Sequence, residues 1–155
     1  MVRKHYESGL KTSLQAATDL HGHFGPFLAL GVRMGLVGLR QLNVQQGDTR
    51  LTSTVMLEYV VPISCILDGI QTSTKCTVGN RRLTWKKSKR IGAIFGLSSS
   101  QQRIEVWVNP PIVQELKRKL AVQPSDEKIR QIGWDIASRP DKELFLSKKW
   151  PNIPA

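Results

Sequence analysis

Apolar positions recur at helical spacing in the first third of the chain and in strand-like runs later. Leu10, Leu14, Ala17 and Leu20 lie three or four residues apart, and Ser8 stands ahead of them as a capping side chain, which predicts a helix to about residue 20. Pro26 suits a first helical position, where its missing N–H costs nothing, and starts a second helix to about residue 42. Gly31, Gly35 and Gly38 share a face of that helix. Glycine weakens a helix, so the stripe points to close backbone packing against a sheet, another helix or a second protomer; simple tolerance of small residues is the plainer alternative.

A turn follows at residues 45–48, then a β-branched run over 51–61 that Pro62 ends, which reads as a strand. Ser64 or Cys65 can cap a short helix over 66–74, and 76–80 is a loop turning at Gly79-Asn80. Residues 82–87, 90–97 and 103–109 read as three successive strands of an antiparallel meander. Pro110 and Pro111 open a helix to Leu120, and a last helix runs over 126–138 with Asp126 and Glu127 in its first turn. The tail from residue 142 reads as irregular. Helices first and strands afterwards argue an α+β fold, a single domain over residues 1–155 with a mixed or mostly antiparallel sheet against helices.

Composition narrows the setting. A chain of 155 residues, 40% hydrophobic and 23% charged, suffices for one compact core. Residues 1–10 are polar and lack the apolar stretch of an export signal, and the apolar run 24–39 is interrupted by Pro26 and Arg33 and is too short to span a bilayer. A cytoplasmic location and no membrane partner are therefore expected, and in a reducing compartment the two cysteines are free thiols or ligands rather than a bridge. The net charge of +11 is concentrated partly at Arg81, Arg82, Lys86, Lys87, Lys89 and Arg90. That cluster is a candidate surface for an anionic small molecule, a cofactor or an acidic protein. Lys117 to Lys119 and Lys148-Lys149 read as solvated faces. No ribonucleoprotein motif, helix-turn-helix signature or zinc-finger spacing selects nucleic acid.

The side chains suited to metal chemistry occupy short segments. His21 and His23 lie two apart between the first two helices, and extended or turned backbone would let both face one ion, whereas a helix would splay them by about 200°. A helix-end histidine meeting the dipole and a second one bonded to backbone is the plainer arrangement. Cys65 at the start of a short helix would have its thiol acidified by the dipole, making it a ligand or nucleophile; a small buried apolar residue is the alternative. Asp68, three residues on, can act as ligand or general base, or can cap its own helix. Cys76, in the loop that follows, has the freedom to reach the same site. Two cysteines exclude a four-cysteine zinc site but allow a three- or four-ligand site with an open position.

Taken together, the blocks His21-Gly22-His23-Phe24-Gly25-Pro26, Cys65-Ile66-Leu67-Asp68-Gly69-Ile70-Gln71 and Lys75-Cys76-Thr77-Val78-Gly79 resemble the formylmethanofuran dehydrogenase FmdE family. The resemblance covers residues 20–95. It implies an α+β domain, often a homodimer, with a His and Cys cleft able to bind zinc or another divalent transition metal, nickel or iron included. It implies a zinc-dependent or redox-linked accessory protein or enzyme with His21, His23, Cys65 and Cys76 as metal ligands, and Cys65 and Asp68 in any catalytic role. Gly25 stands where the family usually has Cys, Lys75 replaces the usual Gly before Cys76, and the four-cysteine appendage of some members is missing from this chain. The alternative is a non-catalytic dimeric module that docks an anionic partner on the basic strands.

Overall fold

The computed structural model describes residues 2–151, with side chains from residue 9 onward. Eleven elements follow one another among them: α1 (Val2–His21), α2 (Pro26–Leu42), β1 (Leu51–Leu57), α3 (Cys65–Thr74), β2 (Leu83–Lys87), β3 (Gly92–Leu97), β4 (Arg103–Val108), α4 (Pro110–Ala121), α5 (Asp126–Ser138), α6 (Asp141–Leu144) and β5 (Phe145–Trp150). The five strands form one mixed sheet in the order β2-β1-β3-β4-β5, so the α+β expectation holds. None of the described helices is long and apolar enough to cross a membrane.

The expected three-strand meander is corrected at its first member. β2 pairs parallel to β1, from Ser53 opposite Leu83 to Leu57 opposite Lys87, on the far side of β1 from β3. A parallel return needs a crossover of a dozen residues or more, and α3 supplies it. The antiparallel run is β1-β3-β4-β5 instead, because β1 pairs antiparallel to β3 and the tail, expected to be irregular, adds β5 alongside β4. Boundaries also shift. The first strand stops at Leu57, and Ser8 falls inside α1 rather than ahead of it.

Helix α2 is the spine of the molecule. Nearly all its residues from Pro26 to Leu42 are buried, and it touches α1, α3 and α5 as well as β3 and β4. Apolar side chains at alternate strand positions, Leu51, Val55 and Leu57 on β1 and Ala93, Phe95 and Leu97 on β3, are buried and complete the core. The glycine stripe packs against a helix and the sheet. A Cβ on Gly31 would meet the Ile66 carbonyl oxygen at 2.2 Å, one on Gly35 the Ser73 Oγ at 1.9 Å, and one on Gly38 the Phe95 ring at 2.6 Å. On the opposing helix, a Cβ on Gly69 would meet the Leu28 carbonyl oxygen at 2.4 Å. Helices α2 and α3 therefore touch main chain to main chain.

Ion pairs tie α4, α5 and α6 together. Arg139 donates to both Glu115 oxygens at 2.7 and 3.0 Å and to Asp135 at 2.6 Å. Arg139 is the main reason that the Glu115 carboxyl drops from 4.5 to about 2. Its folded value lies below its unfolded one, so the contribution is complete above pH 4.5 and is lost as pH falls towards 2. Chemical denaturation at stepped pH should show stability falling through that window. Glu115→Gln should remove about 1 kcal/mol at neutral pH and flatten the decline.

Candidate functional site

The end of α1, the 22–25 connection and the start of α3 meet at one place. Helix α1 ends at His21, and Gly22 follows with φ of +97°, a conformation that side chains with a Cβ rarely adopt. His21 and His23 then pack edge to face, with ring centroids 4.6 Å apart. From α3, Asp68 places Oδ2 at 2.6 Å from His21 Nδ1. A carboxylate only accepts, so in the neutral ring Nδ1 carries the proton and Nε2 keeps its lone pair. His21 Nε2 is buried and has no protein partner. Asp68 thus braces a histidine on another helix and does not cap its own.

Cys65 and Asp68 line, with both histidines, a cleft of about 380 Å³ bordered by Tyr59, Val61, Ser64 and Leu67. Cys65 is 7% exposed. The expectation of an acidified thiol is overturned: burial pushes the Cys65 thiol up, and the nearby Asp68 charge adds to the rise. The start of α3 explains why the dipole does not prevail. The amides of Ser64, Cys65 and Ile66 are already bonded to the carbonyls of Val60, Pro62 and Ile63, so the helix begins as a continuation of a turn with few free N–H groups. Ser64 itself has helical φ and ψ and makes no side-chain cap.

Cys76 does not join this group, which corrects its expected place among the ligands. It lies past the other end of α3, about 15 Å from Cys65 by helical rise. It is fully buried, and its Sγ donates to the Leu51 carbonyl at 3.3 Å. Among the described residues, no group of three His, Cys, Asp or Glu side chains stands close enough to hold a metal ion as placed. The donor types gathered at the cleft are those that borderline divalent ions favour. The cleft offers a braced imidazole with an unclaimed lone pair, a second imidazole and a thiol.

The basic cluster is a row and not a pocket. Arg82 turns inward, donating to the Asp48 and Leu51 carbonyls, and Arg90 lies over the Trp107 ring at 4.1 Å. Arg81, Lys86, Lys87 and Lys89 are exposed along and beside β2, the edge strand. Arg81 sits in the turn before β2 with φ of +61° and Lys87 at the far end of the strand, so the row is strung along the strand instead of closing on one small anion. Lysines on an open edge also discourage unwanted strand pairing.

A second cavity of about 380 Å³ shares His23 and Cys65 with the first and has no counterpart in the local sequence pattern. Gly25 to Leu28 form one wall, and Leu120 at the end of α4, Gln123 and Pro124 of the α4–α5 connection and Ile129 of α5 form the other. Those residues lie about a hundred positions from His23, and no local spacing links them. Gly25, where the resemblance leads one to expect Cys, faces the second of these walls: a Cβ there would meet Ile129 Cγ2 at 3.3 Å.

Comparison with known proteins adds the following. The family described as "FmdE, Molybdenum formylmethanofuran dehydrogenase operon" matches residues 20–146. A protein of Archaeoglobus fulgidus described as a probable S-adenosyl-L-methionine-binding protein is 28% identical over 155 residues, covering 89% of this chain and 42% of that protein. The chain thus spans less than half the length of this curated relative. The crystal structure of a tungsten formylmethanofuran dehydrogenase FmdE-like protein from Syntrophus aciditrophicus superposes with a TM-score of 0.57. That match has 18% identity and covers 94% of this chain and 73% of the other, which shows a shared fold.

Proposed function

This chain belongs to the FmdE family, and on that premise we propose that it binds one divalent transition metal, zinc before nickel or iron, in the His21, His23 and Cys65 cleft. The observation that carries the reading is the Asp68–His21 pair: a carboxylate holds Nδ1 at 2.6 Å while Nε2 stays buried and unpartnered. Metal-bound histidines are braced in this manner, and the brace fixes both tautomer and ring orientation. His21, His23 and Cys65 would hold the ion, and Asp68 is a positioning residue. A bound divalent cation supplies Lewis acidity and draws the proton from a coordinating thiol. A buried thiol that stays protonated by itself suits that role better than an unaided nucleophile.

Elemental analysis of protein purified without added metal, followed by zinc titration calorimetry of the stripped protein, tests the proposal. About one ion per chain is expected, with Asp68→Asn weakening zinc by about 10- to 100-fold and His21→Ala or Cys65→Ser by more. Cys76→Ser should leave zinc affinity unchanged, since that thiol faces Leu51. Wild-type protein that gives no zinc heat, or a Cys76→Ser loss equal to that of Cys65→Ser, would count decisively against the site.

A further inference from the structure

Two cavities of different character meet at one wall. The cleft holding His21 and Asp68 mixes polar side chains with Tyr59, Val61 and Leu67, whereas its neighbour is lined almost wholly by apolar surface from Phe27, Leu28, Leu120, Ile129 and prolines. His23 and Cys65 border both. In the apolar cavity they stand with Gln123 as the residues with polar side chains. A charged group placed among those walls would be desolvated without a partner, which costs several kcal/mol, about as much as a typical pocket gains. Its size lies in the range of small-ligand sites.

We propose that this cavity takes an uncharged apolar group of a small-molecule substrate and presents that molecule's polar end to His23 and Cys65. The inference rests on the metal-site reading for what happens at the polar end, and on the cavity walls alone for what the pocket accepts. The wall residues come from two sources with different roles. Phe27, Leu28 and Cys65 stand on helices locked together at Gly31 and Gly69. Leu120 and Ile129 are only half-buried and close the cavity from the opposite side.

The probe is the neutral dye phenylnaphthylamine, compared with anilinonaphthalene sulfonate, which shares its aromatic rings and adds a charge. One equivalent of neutral dye per chain should bind with enhanced fluorescence, and the sulfonate at least about tenfold more weakly. Ile129→Trp, and independently Leu120→Trp, should weaken the neutral dye by at least about tenfold while leaving zinc stoichiometry unchanged. Saturating dye should also slow alkylation of Cys65, followed by peptide mapping. Equal affinity for both dyes, undiminished binding in both tryptophan variants, or unprotected Cys65 would overturn the proposal. His21→Ala protein that loses zinc and keeps the neutral dye supports it. Wild-type protein that binds the dye as expected and takes up no zinc defeats the metal reading alone.

Discussion

Gly69→Ala is expected to lower the thermal midpoint by roughly 8 °C, corresponding to about 3 kcal/mol. Taken by itself, alanine favours a helix by about 1 kcal/mol over glycine, so a gain would be the naive forecast. The new Cβ, however, would stand 2.4 Å from the Leu28 carbonyl oxygen, 2.6 Å from the Val32 nitrogen and 2.8 Å from the Gly31 Cα. Main-chain atoms inside a helix cannot swing aside as a flexible side chain does. The two helices must separate, and a cavity opens along their length. Gly79→Ala is the control: its nearest neighbour would be Thr77 Oγ1 at 3.9 Å, and its midpoint should stay within experimental error. Thermal melts of both variants decide the matter, and an unchanged Gly69→Ala midpoint would refute the backbone contact.

Arg33→Met should cost about 3 kcal/mol in urea unfolding with the slope unchanged. Arg33 is 4% exposed although it sits in the apolar α2. Its Nη1 donates to the Ala137 carbonyl at 2.8 Å and more loosely to that of Ile136 at 3.3 Å, at the end of α5. Its Nη2 reaches Asp141 at 2.7 Å. Burial would push the Asp141 carboxyl up, but the bonds from Arg33 and Arg40 outweigh that and hold it below the usual range. Removing Arg33 strands the two carbonyls and leaves Asp141 leaning on Arg40 at 2.5 Å. The double variant Arg33→Met, Asp141→Asn should be less destabilised than the sum of the singles by about 1 kcal/mol. Strict additivity would show that the pair is not coupled.

What was legible in the sequence follows the range of the interactions involved. Helix-forming periodicity and Pro26 are local signals, and α2 begins where they place it. The helix over 66–74 is found one residue longer, at Cys65–Thr74. Strand partners are not local. The run at 82–87 carries the same β-branched and basic residues whether it pairs forward with β3 or back with β1. The helix between β1 and β2 was the available clue to a parallel return, and the nearness of 90–97 in sequence hid it. β5 carries no strand signature because Leu146, Ser147, Lys148 and Lys149 are exposed on both of its faces, so no apolar alternation marks it off from a loop.

At the site, His21, His23, Cys65 and Asp68 were legible because blocks of short-range sequence hold them, and the fold does bring them to one cleft. The protonation of Cys65 was not, since it depends on which amides of the preceding turn are already taken. Cys76 was misplaced for a related reason: proximity in sequence suggested reach, but the length of α3 carries it to the far end and into the core. Arg33 offered the opposite trap, a charge in an apolar helix whose partner Asp141 lies 108 residues away.

The contact of α2 with α3 through Gly31 and Gly69 has a bearing on the shape of the neighbouring apolar cavity. The main-chain spacing between the helix that carries Phe27 and Leu28 and the helix that carries Cys65 is set by peptide groups in contact. On the proposed reading, a difference in girth among ligands would be accommodated across from that seam, at the Gln123-Pro124 bend, where selectivity could be retuned without disturbing the imidazole and thiol.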